Sequence, residues 1–392
     1  MTVVELFAGA GGASLGLLSA GFTELRAVEW NADACATRRA AGLRCDEGDV
    51  RDTAHYAGVT ADVVWSSFPC QAWSTAGKRL GKDDPRNGWP WTVDVLDQVR
   101  PAWFIGENVP GLTFHRGACD RVCADDCARL YLEAVILPQL RERFAWVGWR
   151  ILDAARFGVP QRRERLILVA GPRPVVWPRE THAPPDELRA GALFGDGRVP
   201  WVTVRQALGL TGTIWQGGVG GCGLPQNSST SPSPSIVAKA TATILEDPKS
   251  AGLRDDPIPL DVPSPTLRAQ AARDKTGHQG GHAAPRVDTR AGSRPDLLDR
   301  PSPTVTTCEA KGTRGEGQHG GPDRASDAAW LGAGIRRLSP AKCATLQHFP
   351  PDHPWCGTKT SIYAQIGNAV PPTLARVVAE AVKRASSSGA TE

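Results

Sequence analysis

A cysteine, a glutamate and a pair of arginines stand at the ends of three strand-like runs. The first run, Ala61-Asp62-Val63-Val64-Trp65-Ser66, leads into Ser67-Phe68-Pro69-Cys70-Gln71-Ala72-Trp73-Ser74. It is short and apolar, as a buried strand is. Pro69 removes a backbone donor, so the chain cannot continue in the sheet beyond it. Cys70 is thereby placed at the carboxyl end of a strand, where ligands and chemistry collect in α/β sheets. A second run, Trp103-Phe104-Ile105-Gly106, ends in Glu107-Asn108-Val109-Pro110-Gly111. A third, Arg163 to Ala170, begins with Gln161-Arg162-Arg163-Glu164-Arg165. An isolated cysteine reads as a small buried hydrophobe. A thiol nucleophile, a carboxyl that can act as an acid and an arginine fork read together as a site for attack on an electron-poor ring.

The elements that must position these groups begin at the amino terminus. Thr2 to Phe7 is a strand that runs into Ala8-Gly9-Ala10-Gly11-Gly12-Ala13 and then an apolar helix through Leu15, Leu17 and Leu18, ended by Gly21. Strand, glycine turn and helix amino terminus make a nucleotide-binding start, because glycines admit a ligand close to the backbone. The spacing Gly9-x-Gly11-x-x-Ser14 falls short of the full dinucleotide fingerprint. Strand two, Leu25 to Val28, ends at Glu29-Trp30. An acid there can accept from both ribose hydroxyls and an indole can stack on adenine. Gly48-Asp49-Val50 can reach the adenine edge. Val147 to Leu152 and Arg163 to Ala170 complete the sheet, with Arg163 and Arg165 on one face. The carboxyl-terminal part holds a helix opened by Arg336-Arg337-Leu338-Ser339-Pro340, the stretch Gln365-Ile366-Gly367-Asn368-Ala369-Val370-Pro371-Pro372, and a helix from Thr373 to about Ala385.

The remaining segments are less regular. Ser74 to Arg86 is polar, basic and glycine-bearing, and reads as a loop. His115, Cys119, Cys123 and Cys127 recur every four residues, which on a helix keeps them near one face. The spacing is not a standard metal pair, and the segment reads as an insertion, with a zinc or cluster site as the alternative. From Gly171 proline, glycine and serine rise and periodicity fades for about 160 residues, too long for a linker. Pro232-Ser233-Pro234-Ser235-Ile236, Pro263-Ser264-Pro265-Thr266-Leu267 and Pro301-Ser302-Pro303-Thr304-Val305 form a loose repeat, each opening a β-like run. The expected layout is residues 1–170, a smaller irregular β-rich domain over 171–333, and a return to the first domain over 334–392.

Composition sets outer limits. A chain of 392 residues with 41% apolar residues can hold two domains and a core. No apolar run reaches the length of a membrane span, and the chain opens with a strand rather than a leader. Ten cysteines at this length are no disulfide framework, which points to a reduced, cytoplasmic protein. The net charge of +4 permits a nucleic-acid partner without demanding one. Arginine outnumbers lysine 36 to 9, a bias that a GC-rich genome would also produce.

Pro69-Cys70-Gln71, Glu107-Asn108-Val109 and Gln161-Arg162-Arg163-Glu164-Arg165, in this order, resemble the cytosine-C5 DNA methyltransferases. Gly367-Asn368-Ala369-Val370-Pro371 resembles that family's last motif, and Ser67 stands where the family usually has glycine. The resemblance implies a Rossmann-like S-adenosylmethionine-dependent methyltransferase domain with a mixed sheet, and a target-recognition domain in the middle. It implies a cofactor pocket of Phe7, Gly9, Gly11, Gly12, Glu29, Trp30, Asp49, Val50, Pro69, Asn368 and Ala369. Cys70 would be the nucleophile, Glu107 the acid, Asn108 its orienting neighbour, and Arg163 and Arg165 the groups that hold the base. Lys78 and Arg79, in a loop that closes over DNA, and Arg268, Arg273, Lys275, Gln279, Lys311, Arg314 and Gln318 in the middle region would contact DNA, with no metal required. The expected partner is double-stranded DNA, flipped at the target base. The expected form is a bacterial or phage-encoded monomer, with a cognate restriction endonuclease acting separately. A tRNA cytosine methyltransferase is a rival, though its Cys-Phe-Thr tripeptide is absent here. A DNA-binding protein that has lost catalysis is a second, weakened by the intact Cys70, Glu107 and Arg165.

Overall fold

In a computed structural model of the chain, residues 1–69, 86–114, 128–190, 197–209, 213–217, 241–245, 336–337 and 339–388 are described. Seven short strands pair side by side. They are β1 (Thr2–Leu6), β2 (Thr23–Glu29), β3 (Asp46–Glu47), β4 (Val63–Ser66), β5 (Trp103–Asn108), β6 (Trp146–Asp153) and β7 (Glu164–Gly171). Their spatial order is β3-β2-β1-β4-β5-β7-β6. The first five strands run parallel, and β7 lies antiparallel between β5 and β6. This mixed α/β sheet is the arrangement that the sequence resemblance implies.

Side-chain alternation along these strands sorts the core into two layers. Val3, Val63, Trp65, Trp103, Ile105, Ile167 and Val169 point to one face. There they meet Leu17 of α1 (Gly12–Ser19) and residues of the carboxyl-terminal helix, Pro372–Ser387. Val4, Leu6, Val64, Phe104, Leu166 and Leu168 point the other way. They meet α3 (Trp89–Val99) and the helical stretch 128–141, while α2 (Ala32–Ala40) follows β2. Coverage of both faces explains why β4 and β5 read as continuous apolar runs rather than alternating ones.

The stretch read as one helix from Leu130 to Phe144 is interrupted. Helix α4 (Ala128–Tyr131) passes through a π-helical turn, Leu132–Ile136, into α5 (Leu137–Arg141). Pro138 has no N–H to give the preceding turn, which accounts for the wider local winding. Further on are α6 (Pro185–Ala190) and α7 (Val204–Leu208), with His182–Ala183 paired to Val199–Pro200. Thr213–Gly217, Thr241–Leu245 and Arg336–Arg337 form a separate three-stranded antiparallel sheet. The three proline-serine repeats lie outside the described residues.

Arg336 and Arg337 thus pair in a strand instead of opening a helix. Helix α8 (Pro340–Leu346) begins after them, with the Ser339 hydroxyl accepting from Lys342 N at 3.3 Å. Helix α9 (Lys359–Asn368) carries Gln365, Gly367 and Asn368 in its last turn, where the sequence alone gave no helix. The final helix, α10 (Pro372–Ser387), opens on proline and lies against α1.

Gly16 is what lets α10 approach. A Cβ there would overlap Pro372 O and sit 2.6 Å from the Ala375 Cβ. Replacing Gly16 with leucine is expected to cost about 1–3 kcal/mol in urea-induced unfolding, the usual penalty of overpacking. Wild-type stability in that variant would contradict close docking of α10 on α1.

Candidate active site

Parallel strands β4 and β5 end at the same edge of the sheet. Because β7 is antiparallel, its first residues lie at that edge as well, and Asn108 pairs in register with Leu166. Glu107 and Arg165 meet there. Arg165 Nε lies 2.9 Å from Glu107 Oε1, with each side chain about 10% exposed. A second Arg165 nitrogen donates to Glu164 O at 2.7 Å, which fixes the guanidinium plane.

Arg163 lies beside this pair and is fully buried. Its Nη2 donates to Gly367 O at 2.9 Å, linking β7 to the end of α9. Burial, with the Arg165 charge beside it, pushes its guanidinium below the usual arginine range. Its backbone N–H donates to Asp153 Oδ1 at 2.9 Å, which anchors the segment to the end of β6.

Asn108 binds the loop ahead of Cys70. Its Nδ2 donates to Phe68 O at 3.0 Å, and its Oδ1 accepts from Val109 N at 2.9 Å. The first bond reaches the segment that leads to position 70 and the second stays on Asn108's own neighbour, so neither goes to Glu107. Ser67, in the place usual for glycine, accepts from Trp65 Nε1 at 3.0 Å. Phe68 packs edge-on against Trp89, with ring centroids 5.3 Å apart. Gly88 lets α3 approach, because a Cβ there would collide with Pro69. The backbone entering position 70 is therefore held from β4, β5 and α3. Cys70 itself, Lys78, Arg79, the His115–Cys127 series and Arg268, Arg273, Lys275, Gln279, Lys311, Arg314 and Gln318 lie outside the described residues.

A second cluster forms where β1 and β2 end. Phe7, Gly9 and Gly11 have φ of 56°, 54° and 96°, a left-handed path that glycine takes without strain. Gly9 N donates to Glu29 Oε2 at 2.7 Å and Asn31 N donates to Glu29 Oε1 at 2.8 Å. Each oxygen is left one acceptor position for a further donor. Trp30 is 74% exposed and offers an open indole face. Gly12 sits under Val370 O and near Ala369, so the last motif packs on the turn. Asp49 is held by Arg51, whose hydrogen bond keeps the carboxyl below the usual range. Val50 is buried, and its carbonyl accepts from Tyr56 Oη at 3.1 Å.

The structure adds groups that the sequence reading missed. Arg38, fully buried on α2, donates to Ala8 O at 3.0 Å and to Arg44 O at 2.7 Å. It also approaches Glu5 and Glu24 at 3.7 and 3.5 Å. Burial pushes the Glu5 carboxyl well up against the opposing pull of Arg38. Cys35, which donates to Glu29 O at 3.2 Å, is pushed up to about 12 by burial and by the neighbouring Cys45. Trp91 lies between Phe7 and Arg51, at 6.4 Å from the Phe7 ring and 5.1 Å from the guanidinium. An acid inside an apolar strand was the signal available for Glu5. Arg38, Cys35 and Trp91 carried none.

Among the described residues no cluster of side chains suited to a metal ion occurs, and no helix is long and apolar enough to cross a membrane.

Known proteins resemble the chain over part or all of its length. The Type II methyltransferase M.NaeI of Lentzea aerocolonigenes is 37% identical over 197 residues, covering 47% of this chain and 44% of that protein. Against this relative the chain therefore spans less than half the length. M.AplI of Arthrospira platensis, also a Type II methyltransferase, is 28% identical over 98% of this chain and 86% of its own length. The structure of the Entamoeba histolytica methyltransferase EhMeth superposes with a TM-score of 0.56 at 14% identity, covering 98% of each chain, and bears on the fold alone. The model of the C-5 cytosine-specific DNA methylases matches residues 1–187 and 271–384, most of the chain. The chain belongs to the family of C-5 cytosine-specific DNA methylases.

Proposed function

We propose that this DNA cytosine-5-methyltransferase works through a covalent bond between Cys70 and C6 of a flipped-out cytosine in double-stranded DNA. The observation that carries the proposal is the Glu107–Arg165 pair, at 2.9 Å, at the strand edge where β4 also ends, four residues ahead of Cys70 in the sequence. Cytosine C5 is a poor nucleophile. A thiolate bonded to C6 moves electron density onto C5 and N3. Glu107 holds a proton at N3, and Arg165 holds the base while offsetting charge as it develops. Arg163 ties this edge to Gly367, and Asn108 fixes the backbone that delivers the thiol. After transfer a water molecule takes the C5 proton, the electron pair re-forms the C5–C6 double bond, Cys70 leaves as thiolate, and the N3 proton returns to Glu107. The target base must leave the duplex stack for these groups to reach it.

The glycine turn suits S-adenosylmethionine. Nothing lies within 4 Å of where a Gly9 Cβ would be, so the turn admits close approach of a ligand. Glu29, held by two backbone N–H groups, retains acceptor capacity for ribose hydroxyls, and exposed Trp30 offers a stacking surface for adenine. When bound, the cofactor supplies an electrophilic methyl group on a sulfonium. Phe7, Gly9, Gly11, Gly12, Glu29, Trp30, Asp49, Val50, Pro69, Asn368 and Ala369 are assigned to hold it. The middle region, 171–333, is assigned to target recognition, with Lys78 and Arg79 closing from the other side. That the relatives above are named Type II methyltransferases supports a restriction-modification setting, with a separately acting endonuclease.

Methyl transfer from labelled cofactor to a random-sequence plasmid, read by bisulfite sequencing beside a tRNA control, tests the substrate. Methylation at one short DNA motif is expected, and labelling of tRNA alone would contradict it. Cys70→Ala is expected to abolish turnover while cofactor binding, read by calorimetry, persists. Full activity in that variant would end the role of Cys70. Glu107→Gln is expected to slow single-turnover transfer by about 100-fold or more, in the range of a lost acid, and a wild-type rate would remove Glu107 as the acid.

A further inference from the structure

The glycine turn has a polar contact from far along the chain. His353 Nε2 lies 3.2 Å from Ala10 O, and Ala10 stands between Gly9 and Gly11. A carbonyl oxygen can only accept, so Nε2 carries the proton and donates. The ring is 7% exposed and packs in a triangle with Phe349 and Trp355, at centroid distances of 5.0 and 4.6 Å, the other two rings being 5.0 Å apart. Burial holds the imidazole below the usual histidine range, against the opposing pull of its bond to Ala10 O.

The segment presenting this ring is itself fixed. Cys356 N donates to Thr37 Oγ1 at 2.9 Å, and Thr37 Oγ1 donates to Gln365 Oε1 at 2.7 Å. Gln365 Nε2 donates in turn to Cys356 O at 2.8 Å. This closed ring of bonds ties residues 353–356 to α2 and α9. On the other side of the turn, Arg38 Nη1 holds Ala8 O, and Gly11 N donates to the same oxygen at 3.3 Å. The peptide joining Ala10 to Gly11 is therefore held at both polar ends, its oxygen by His353 and its N–H by Ala8 O. Glycine has the widest backbone freedom of any residue. Without these restraints Gly9 and Gly11 could rotate away from the path that brings Gly9 N–H to Glu29.

We infer that His353 is a positioning residue for S-adenosylmethionine, whose N–H fixes the Ala10–Gly11 peptide and so keeps the turn and Glu29 shaped for the cofactor. The inference rests on the assignment of this turn to the cofactor. His353 touches neither the base nor the reacting atoms, so its effect falls on cofactor affinity ahead of the chemical step.

Two substitutions separate hydrogen bonding from packing. His353→Phe keeps an aromatic ring against Phe349 and Trp355 and removes the donor. His353→Gln restores a neutral N–H at a similar reach. In calorimetric titration of the full chain with S-adenosylhomocysteine, His353→Phe is expected to bind about tenfold more weakly, the worth of a hydrogen bond of ordinary strength. The cofactor KM is expected to rise in parallel, with a smaller fall in kcat, and His353→Gln to recover most of the affinity. His353→Phe binding within twofold of wild type would overturn the inference. Equal weakening in both variants together with a lowered Tm would also overturn it, since packing would then be the cause. Failure of the wild-type chain to bind S-adenosylhomocysteine would overturn the cofactor assignment, and the inference with it.

Discussion

An antiparallel strand beside parallel ones is the constraint on which the site depends. Parallel strands β4 and β5 deliver their last residues to one edge of the sheet. A further parallel strand would bring only its own end there. Because β7 runs the other way, its opening residues reach the same edge, and Arg165 meets Glu107 across two neighbouring strands. The pair is nearly buried, and removing one partner would strand the other charge in a site of low polarizability, at a cost of about 3–5 kcal/mol. Sheet topology and the charge pair thus depend on each other. The pair requires the antiparallel strand, and the strand's first residues are tolerated at a buried edge because Glu107, Gly367 and Asp153 take up their polar groups.

The same logic joins the two ends of the chain. Helix α10 lies on α1 because Gly16 has no side chain, and the segment ahead of it covers the glycine turn through Val370 O and Ala369. The cluster at the ends of β1 and β2 is therefore built from residues more than 300 positions apart. Its shape depends on backbone carbonyls held by Arg38 and His353 as much as on the residues that face a ligand. Glu29 links the parts. Its carboxylate takes the N–H groups of Gly9 and Asn31, and its carbonyl takes those of Gly48 and the thiol of Cys35.

Much of this was legible in the sequence wherever chemistry follows from local pattern. Pro69, Glu107-Asn108 and Arg163-Glu164-Arg165 each stand at a strand end, and strand ends follow from short apolar runs and turn residues. The glycine turn follows from Gly9, Gly11 and Gly12 in the same way, whereas the mixed sheet was implied by the family resemblance and the left-handed path of the turn came from the structure. What stayed hidden acts over distance. Arg38 reads as one of two arginines on an ordinary helix, yet it is fully buried beneath the turn. His353 reads as a histidine between prolines, and only the return of the chain places it on Ala10. Asn108 was legible as part of the site, but its bond to Phe68 was not, because that bond depends on the register of β4 against β5. The break in the 128–141 helix follows from Pro138, whereas α9 lacks the apolar stripe that would have announced it.

The proposed covalent step is open to direct capture. In that mechanism loss of the C5 proton releases Cys70, so a duplex carrying 5-fluorocytosine at the target position has no proton to lose and should leave the bond to C6 intact. Incubated with S-adenosylmethionine and resolved under denaturing conditions, the wild-type chain should migrate with the DNA, and its mass should equal protein, duplex strand and one added methyl group. Peptide mapping should place the link at Cys70. Methylation of ordinary cytosine in the same sequence, with no denaturation-resistant complex on the fluorinated duplex, would contradict attack by Cys70 as the basis of catalysis.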